Sequence, residues 1–215
     1  MLKAVLFDFD GTLADTLPAI FHTFRESFRT YLGQEPTDQE ILSRFGPPEE
    51  EILCREIDDT HVEEAMEHFY RLYRDQHSGL VRSHPPIIQL LQWLKQMNIP
   101  VGIVTGKGRR SAKISLELLG MEDLYDSLIT GTEVNRYKPD PEGIIIAMEE
   151  LGCPPGQGVY IGDSDVDIRA GKAAGLLTVG VCWFHQDQNH QFQPVPDKVC
   201  HEVSDLHDWL RLQLD

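Results

Sequence analysis

Short apolar runs alternate with amphipathic stretches along this chain, and the alternation is interrupted once. Leu2 to Phe9 is a largely apolar run of strand formers, closed by Asp8, Asp10 and Gly11. Such a run predicts a buried parallel strand that ends in a polar loop. From about Leu17 to Leu80 the pattern is helical throughout. Phe21, Phe24, Phe28 and Tyr31 recur every three or four residues and share one face, and Gly33 can stop that helix. A short helix around Ile41 and Leu42 precedes Gly46-Pro47-Pro48, and two further helices are expected near 49–57 and 60–76.

Beyond the helical block, strands and helices alternate again. Helices are expected over Ile87–Met97, Ser111–Leu119, Pro141–Leu151, Asp167–Ala174 and Val203–Leu212. Strands are expected over Val101–Val104, Ser127–Thr130, Val159–Ile161 and Leu177–Val181. Proline in the first turn of one helix and Gly120, Gly152 and Gly175 after three of them punctuate the pattern. The alternation implies an α/β fold: a doubly wound, Rossmann-like parallel sheet covered on both faces. The block after the first strand is too long for one crossover. It reads as a helical cap over 15–82, inserted into a core of 1–14 and 83–215. Segment 183–198 is rich in Gln, Asp, Asn and Pro and reads as a surface loop, with His185 and His190 exposed in it.

Charge narrows the function. Nineteen Lys and Arg face 35 Asp and Glu in 215 residues, a formal charge of -16. That balance opposes nucleic acid and anionic membranes as partners, but not a small anionic substrate. No run is long and apolar enough to span a bilayer, and no signal peptide precedes the first strand. Cys54, Cys153, Cys182 and Cys200 form no C-x-x-C pair. A cytoplasmic enzyme, monomeric or homodimeric, is the expectation.

Four polar clusters each follow an apolar run: Asp8-Phe9-Asp10-Gly11-Thr12, Thr105-Gly106-Lys107, Lys138-Pro139, and Gly162-Asp163-Ser164-Asp165-Val166-Asp167. In a parallel sheet the carboxyl ends of all strands lie on one edge, where ligands bind. Asp8, Asp10, Asp163 and Asp167 would then crowd together, and a hard divalent cation such as magnesium relieves the repulsion. Thr105 and Lys138 supply a hydroxyl and a positive charge suited to a phosphoryl group. An aspartate nucleophile splits phosphoryl transfer into two easier steps. A carboxyl two residues beyond it is placed for acid/base work.

These clusters resemble those of the haloacid dehalogenase-like hydrolase superfamily. The resemblance rests on DFDGTLADT (8–16), VTGK (104–107), YKPDPE (137–142) and IGDSDVDIRAGKAAG (161–175), in order, and covers essentially the whole chain. It implies Asp8 as nucleophile and Asp10 as acid/base. It implies magnesium held by Asp8, the Asp10 carbonyl, Asp163 and Asp167, and a phosphoryl cradle of Thr105, Gly106 and Lys138. The superfamily also carries a helical cap after its first motif.

Asp10 separates the superfamily's phosphatases and mutases from its dehalogenases, which lack it. The segments DTLPAI, FGPP and VTGKGR are most similar to phosphoglycolate phosphatases and related pyrophosphatases. By that resemblance the substrate is a small phosphorylated metabolite, 2-phosphoglycolate first, then pyrophosphate or a sugar phosphate. Arg44 and Gly46 of the cap, with Lys107 and Arg109 of the core, are candidate substrate contacts. Two alternatives remain. Beta-phosphoglucomutases share the layout but place a cap histidine where this chain has Ile20. Receiver-like phospho-acceptor modules gather similar residues without a cap. Pro85-Pro86 departs from the Pro-Gly often found after the cap.

Overall fold

A computed structural model describes residues 2–184 and 190–214. Six strands form one sheet: β1 (Ala4–Phe7), β2 (Val101–Val104), β3 (Ser127–Ile129), β4 (Gly158–Gly162), β5 (Leu177–Val181) and β6 (Lys198–Cys200), in the order β3-β2-β1-β4-β5-β6. All neighbouring pairs are parallel, with Phe7 opposite both Ile103 and Ile161. The order reverses at β1, so β2 and β4 flank it and their following loops diverge above its carboxyl end. That is where a doubly wound sheet opens a crevice.

The strands are apolar on both faces because helices cover both. Val5 and Phe7 pack with α5 (Pro85–Gln96) and α9 (Val203–Leu214) in one cluster. Ala4, Leu6 and Tyr160 pack with α7 (Glu142–Glu150) and α8 (Asp165–Ala173) in the other. α6 (Arg109–Leu118) joins the first cluster through Ile114 and Leu116.

The helical cap enters between β1 and α5. It comprises α1 (Leu17–Leu32), α2 (Asp38–Leu42), α3 (Glu49–Glu56) and α4 (Val62–Leu80). The aromatic stripe does what its period implies: Phe24 and Phe28 are buried, and Phe24 meets Phe69 of α4 edge-on at 4.9 Å. Gly33 closes α1 in the left-handed conformation, with its N–H on the Arg29 carbonyl. The Thr37–Glu40 capping box opens α2. Tyr73 and His77 of α4 both meet Ser115 of α6, tying cap to core.

The segment after β5 differs from its sequence reading. Phe192 is buried against Gly180, Trp183 Nε1 donates to the Thr12 carbonyl at 2.9 Å, and Lys198 opens a sixth strand. Sparse aromatics in a polar context carried too little periodicity to signal this. His185 lies outside the described residues. No helix among the described residues is long and apolar enough to cross a membrane.

Candidate active site

Each of the four polar clusters sits where a strand or loop reaches the crevice. Asp8 follows the last residue of β1, and its N–H still bonds the Ile161 carbonyl at 2.8 Å, which fixes its main chain to β4. Gly11, at φ +85°, turns the chain immediately beyond, and a Cβ there would run into the Asp163 carboxylate. Thr12 is fully buried, with its hydroxyl 3.4 Å from Asp163 Oδ1. Asp163 follows β4, and Asp167 sits in the first turn of α8, where Ser164 caps the helix and bonds the Asp167 carboxylate.

Lys138 closes the constellation. Its Nζ donates to Asp8 Oδ1 at 2.6 Å, Asp167 Oδ1 at 2.7 Å and the Tyr160 hydroxyl at 3.1 Å. Tyr160 in turn donates to the Val104 carbonyl at 2.7 Å, so a strand residue steadies the ammonium from below. Asp8, Asp163 and Asp167 each offer an oxygen within 4.8 Å of the others. Burial pushes the Asp8 carboxyl well above the usual carboxylate range; Lys138 opposes that shift, while Asp167 and Asp163 add to it. Burial also works against the charge of Lys138, but Asp167 and Asp8 outweigh it and hold the ammonium firmly protonated.

Three carboxylates cluster beside one lysine that bonds two of them, with oxygen donors only. That donor set fits a small hard divalent cation and would suit neither a soft metal nor an apolar ligand.

The Asp10 side chain turns away from this cluster. It accepts a hydrogen bond from the Thr16 hydroxyl and faces Lys107 Nζ at 3.3 Å. Lys107 lies over the Tyr73 ring, 4.6 Å from its centroid. Its immediate charged neighbours include Glu49, the first residue of α3, which accepts from the Gly108 N–H at 2.8 Å and from the Ser111 hydroxyl. Burial raises the pKa of Glu49, with Lys107 acting against the rise.

Asp8, Asp10, Asp163, Asp167, Thr105, Gly106, Lys107 and Lys138 all line one cavity of about 460 Å³ between sheet and cap, and Gly46 lines it from the cap. Arg44 and Arg109 do not. Arg44 pairs with Glu56 at 2.9 Å and lies over Phe28. Arg109 pairs with Glu133 at 2.5 Å and donates to the Leu128 carbonyl. Each found a carboxylate or carbonyl nearer than the cavity. Sequence reading missed Glu49, Thr16's bond to Asp10, and Tyr160. Glu49 sits in an acidic helix start that reads equally as a dipole cap, and Tyr160 sits inside a strand where packing is the ordinary role.

Comparison with known proteins follows the same lines. A family model for haloacid dehalogenase-like hydrolases matches residues 5–181. The chain is 32% identical to a pyrophosphatase PpaX of Oceanobacillus iheyensis over 205 residues, 95% of each protein. A haloacid dehalogenase-like hydrolase of Bacteroides fragilis superposes with a TM-score of 0.77 at 30% identity, covering 96% of this chain and 100% of that one. The fold also matches a beta-phosphoglucomutase of Clostridium difficile at a TM-score of 0.80 and 21% identity, covering 99% and 97%.

Proposed function

Because this chain belongs to the haloacid dehalogenase-like hydrolases, we propose that it is a magnesium-dependent phosphatase that takes a phosphoryl group onto Asp8 and passes it to water. One observation carries the reading. Asp8 sits at the floor of a capped cavity, bonded to Lys138 and within reach of two further carboxylates.

Asp8, the main-chain carbonyl of Asp10, Asp163 and Asp167 would hold the magnesium. When bound, the ion offsets the carboxylate charge and that of the phosphoryl oxygens. Lys138 orients the Asp8 carboxylate and supplies a second positive charge on the same side. Thr105 and the Gly106 main chain line the same cavity, where phosphoryl oxygens need donors. Asp8 forms a bond to phosphorus as the bond to the leaving oxygen breaks, and Asp10, as general acid, delivers a proton to that oxygen. Water then attacks the phospho-Asp8, its proton passes to Asp10, and the bond from phosphorus to Asp8 breaks to free phosphate. Thr16 holds Asp10 on the leaving-group side, clear of the carboxylate cluster.

The relatives support pyrophosphate over 2-phosphoglycolate as a substrate, since pyrophosphatases match at about a third identity over nearly the full length. The mutase reading has less support. Ile20 lines the cavity where the resemblance places a mutase histidine, and an alkyl side chain cannot move a proton there.

The test is phosphate release from a panel of phosphate compounds with magnesium, followed by trapping of the phosphoenzyme. Asp8→Asn should lower kcat by at least about 10³-fold, as loss of a covalent nucleophile does. Activity within tenfold of the parent, with deamidation excluded, would remove Asp8 from the nucleophile's role.

A further inference from the structure

The cavity above Asp8 has two chemically unlike halves. Its floor is the charged cluster. Its roof, contributed by the cap, is built from Leu17, Ile20, Phe24, Leu42, Phe45 and Phe69. A leaving group attached to a phosphoryl group on the floor has to rest against that roof.

The roof offers an anion no cationic side chain. Among the described residues, the cations lining the cavity are Lys107 and Lys138, both from the core. Lys138 is held between Asp8 and Asp167, and Lys107 by Asp10. The arginines nearest in sequence to the site are engaged elsewhere: Arg44 by Glu56, Arg109 by Glu133 and Arg110 by Glu67. The ionisable group that the cap does contribute is Glu49, an acid. A carboxylate or second phosphate placed against that roof would lose hydration without gaining a cation from the cap.

The lip of the cavity points the same way. Leu42 and Phe45 are 44% and 41% exposed, large apolar side chains left open beside a polar site. Phe45 stacks on Phe21 with ring centroids 6.4 Å apart. Apolar walls with a few convergent polar groups at one end are the usual construction of a pocket for an apolar ligand with a polar head.

We infer that the leaving group is an apolar alcohol, so that the substrate class is an alkyl or aryl phosphate monoester rather than a compound with a second anionic group. This rests on the phosphatase reading of Asp8 and departs from pyrophosphate as the preferred substrate. The charged head fixes the phosphoryl group on the floor, and the hydrocarbon displaces water from the roof.

The experiment is a kcat/KM series with magnesium over methyl, ethyl, butyl and hexyl phosphate, with phenyl phosphate, 2-phosphoglycolate and pyrophosphate beside it. The expected result is a rise of about fourfold per added methylene until the roof is filled, the ~0.8 kcal/mol of a buried CH₂ expressed as a ratio. Phenyl phosphate should exceed 2-phosphoglycolate and pyrophosphate by about tenfold or more. Leu42→Arg, at the exposed lip where the fold tolerates it, should flatten the alkyl series and raise the relative rate on 2-phosphoglycolate. A flat or falling series, or pyrophosphate turned over faster than every monoester, would overturn the inference.

Binding of methyl- to hexylphosphonate to the same protein, followed by calorimetry, separates the two readings. Affinity that grows with chain length but no turnover of any ester sustains the apolar roof and removes the phosphatase reading. Affinity indifferent to chain length overturns the roof's role whatever the turnover.

Discussion

At the scale of single residues, the site depends on small groups as much as on its carboxylates. Gly11 lets the loop after β1 turn at positive φ against Asp163. Gly11→Ala would both strain the turn and push the Asp163 carboxylate aside, so it should cost about 1–3 kcal/mol and lower activity at least about tenfold. Denaturation and kinetics on one preparation check both, and a fully active, fully stable variant would show that the loop can adjust.

His77 makes a separate, pH-dependent contribution. It is 1% exposed, with Nε2 2.9 Å from Ser115 Oγ. Burial lowers its pKa to about 4 from the ordinary 6.5, Lys107 and Arg74 act in the same direction, and Asp10 opposes them. The unfolded chain therefore binds a proton between those values and the folded chain does not. The resulting stability is complete above about pH 6.5 and is lost as pH falls toward 4, by up to ~3 kcal/mol. His77→Leu should flatten the stability–pH profile in that window, and an unchanged slope would assign the acid sensitivity to the carboxylates instead. Charged residues also show where sequence stops being informative. Asp8 and Asp163 could be placed because the sheet edge dictates where strand ends lie. Arg44 and Arg109 could not, because a long cation goes to whichever acid the folded surface brings near, here Glu56 and Glu133.

At the scale of elements, the join between α3 and α6 is the most informative contact. Glu49 opens α3 and accepts from the Gly108 main chain and the Ser111 hydroxyl at the start of α6, so one cap side chain satisfies two buried donors of the core helix's first turn. Its charge also faces Lys107. Glu49→Ala should destabilise the protein by about 3 kcal/mol, because a buried N–H and a buried ammonium both lose a partner. Glu49→Gln keeps the shape and should recover roughly half of that in chemical denaturation; equal losses would make the charge, rather than the hydrogen bonds, the stabilising element.

The helices and central strands were legible because long periodic segments overdetermine themselves. α4 runs four residues beyond its expected end, to Leu80, since His77 and Val81 are held by tertiary packing that period alone does not reveal. β6 was not legible. Three residues after a Pro-rich stretch carry no usable period, and their strand character comes from pairing with β5.

At the scale of the molecule, the site exists only as a junction. Asp8 follows β1, Lys138 lies in the loop before α7, Asp163 follows β4, Asp167 sits in the first turn of α8, and Gly46 belongs to the cap. A ligand that bonds to these groups together binds the folded chain and not the unfolded one, so it must raise stability. A phosphoryl mimic such as beryllium fluoride, added with magnesium, should therefore raise Tm well beyond the effect of magnesium alone. At about a hundred times its Kd the gain is ~2.7 kcal/mol, which for a chain of this size is roughly 5–10 °C. Removing the divalent ion with EDTA should abolish the gain, because the three carboxylates then repel the mimic as well as one another. Asp8→Asn should abolish it too while leaving the sheet intact, since only the bond to Asp8 draws the mimic to the floor of the cavity. An undiminished shift in that variant would place the anion elsewhere in the crevice, and the convergence on Asp8 would then be an arrangement of charges without the chemistry assigned to it.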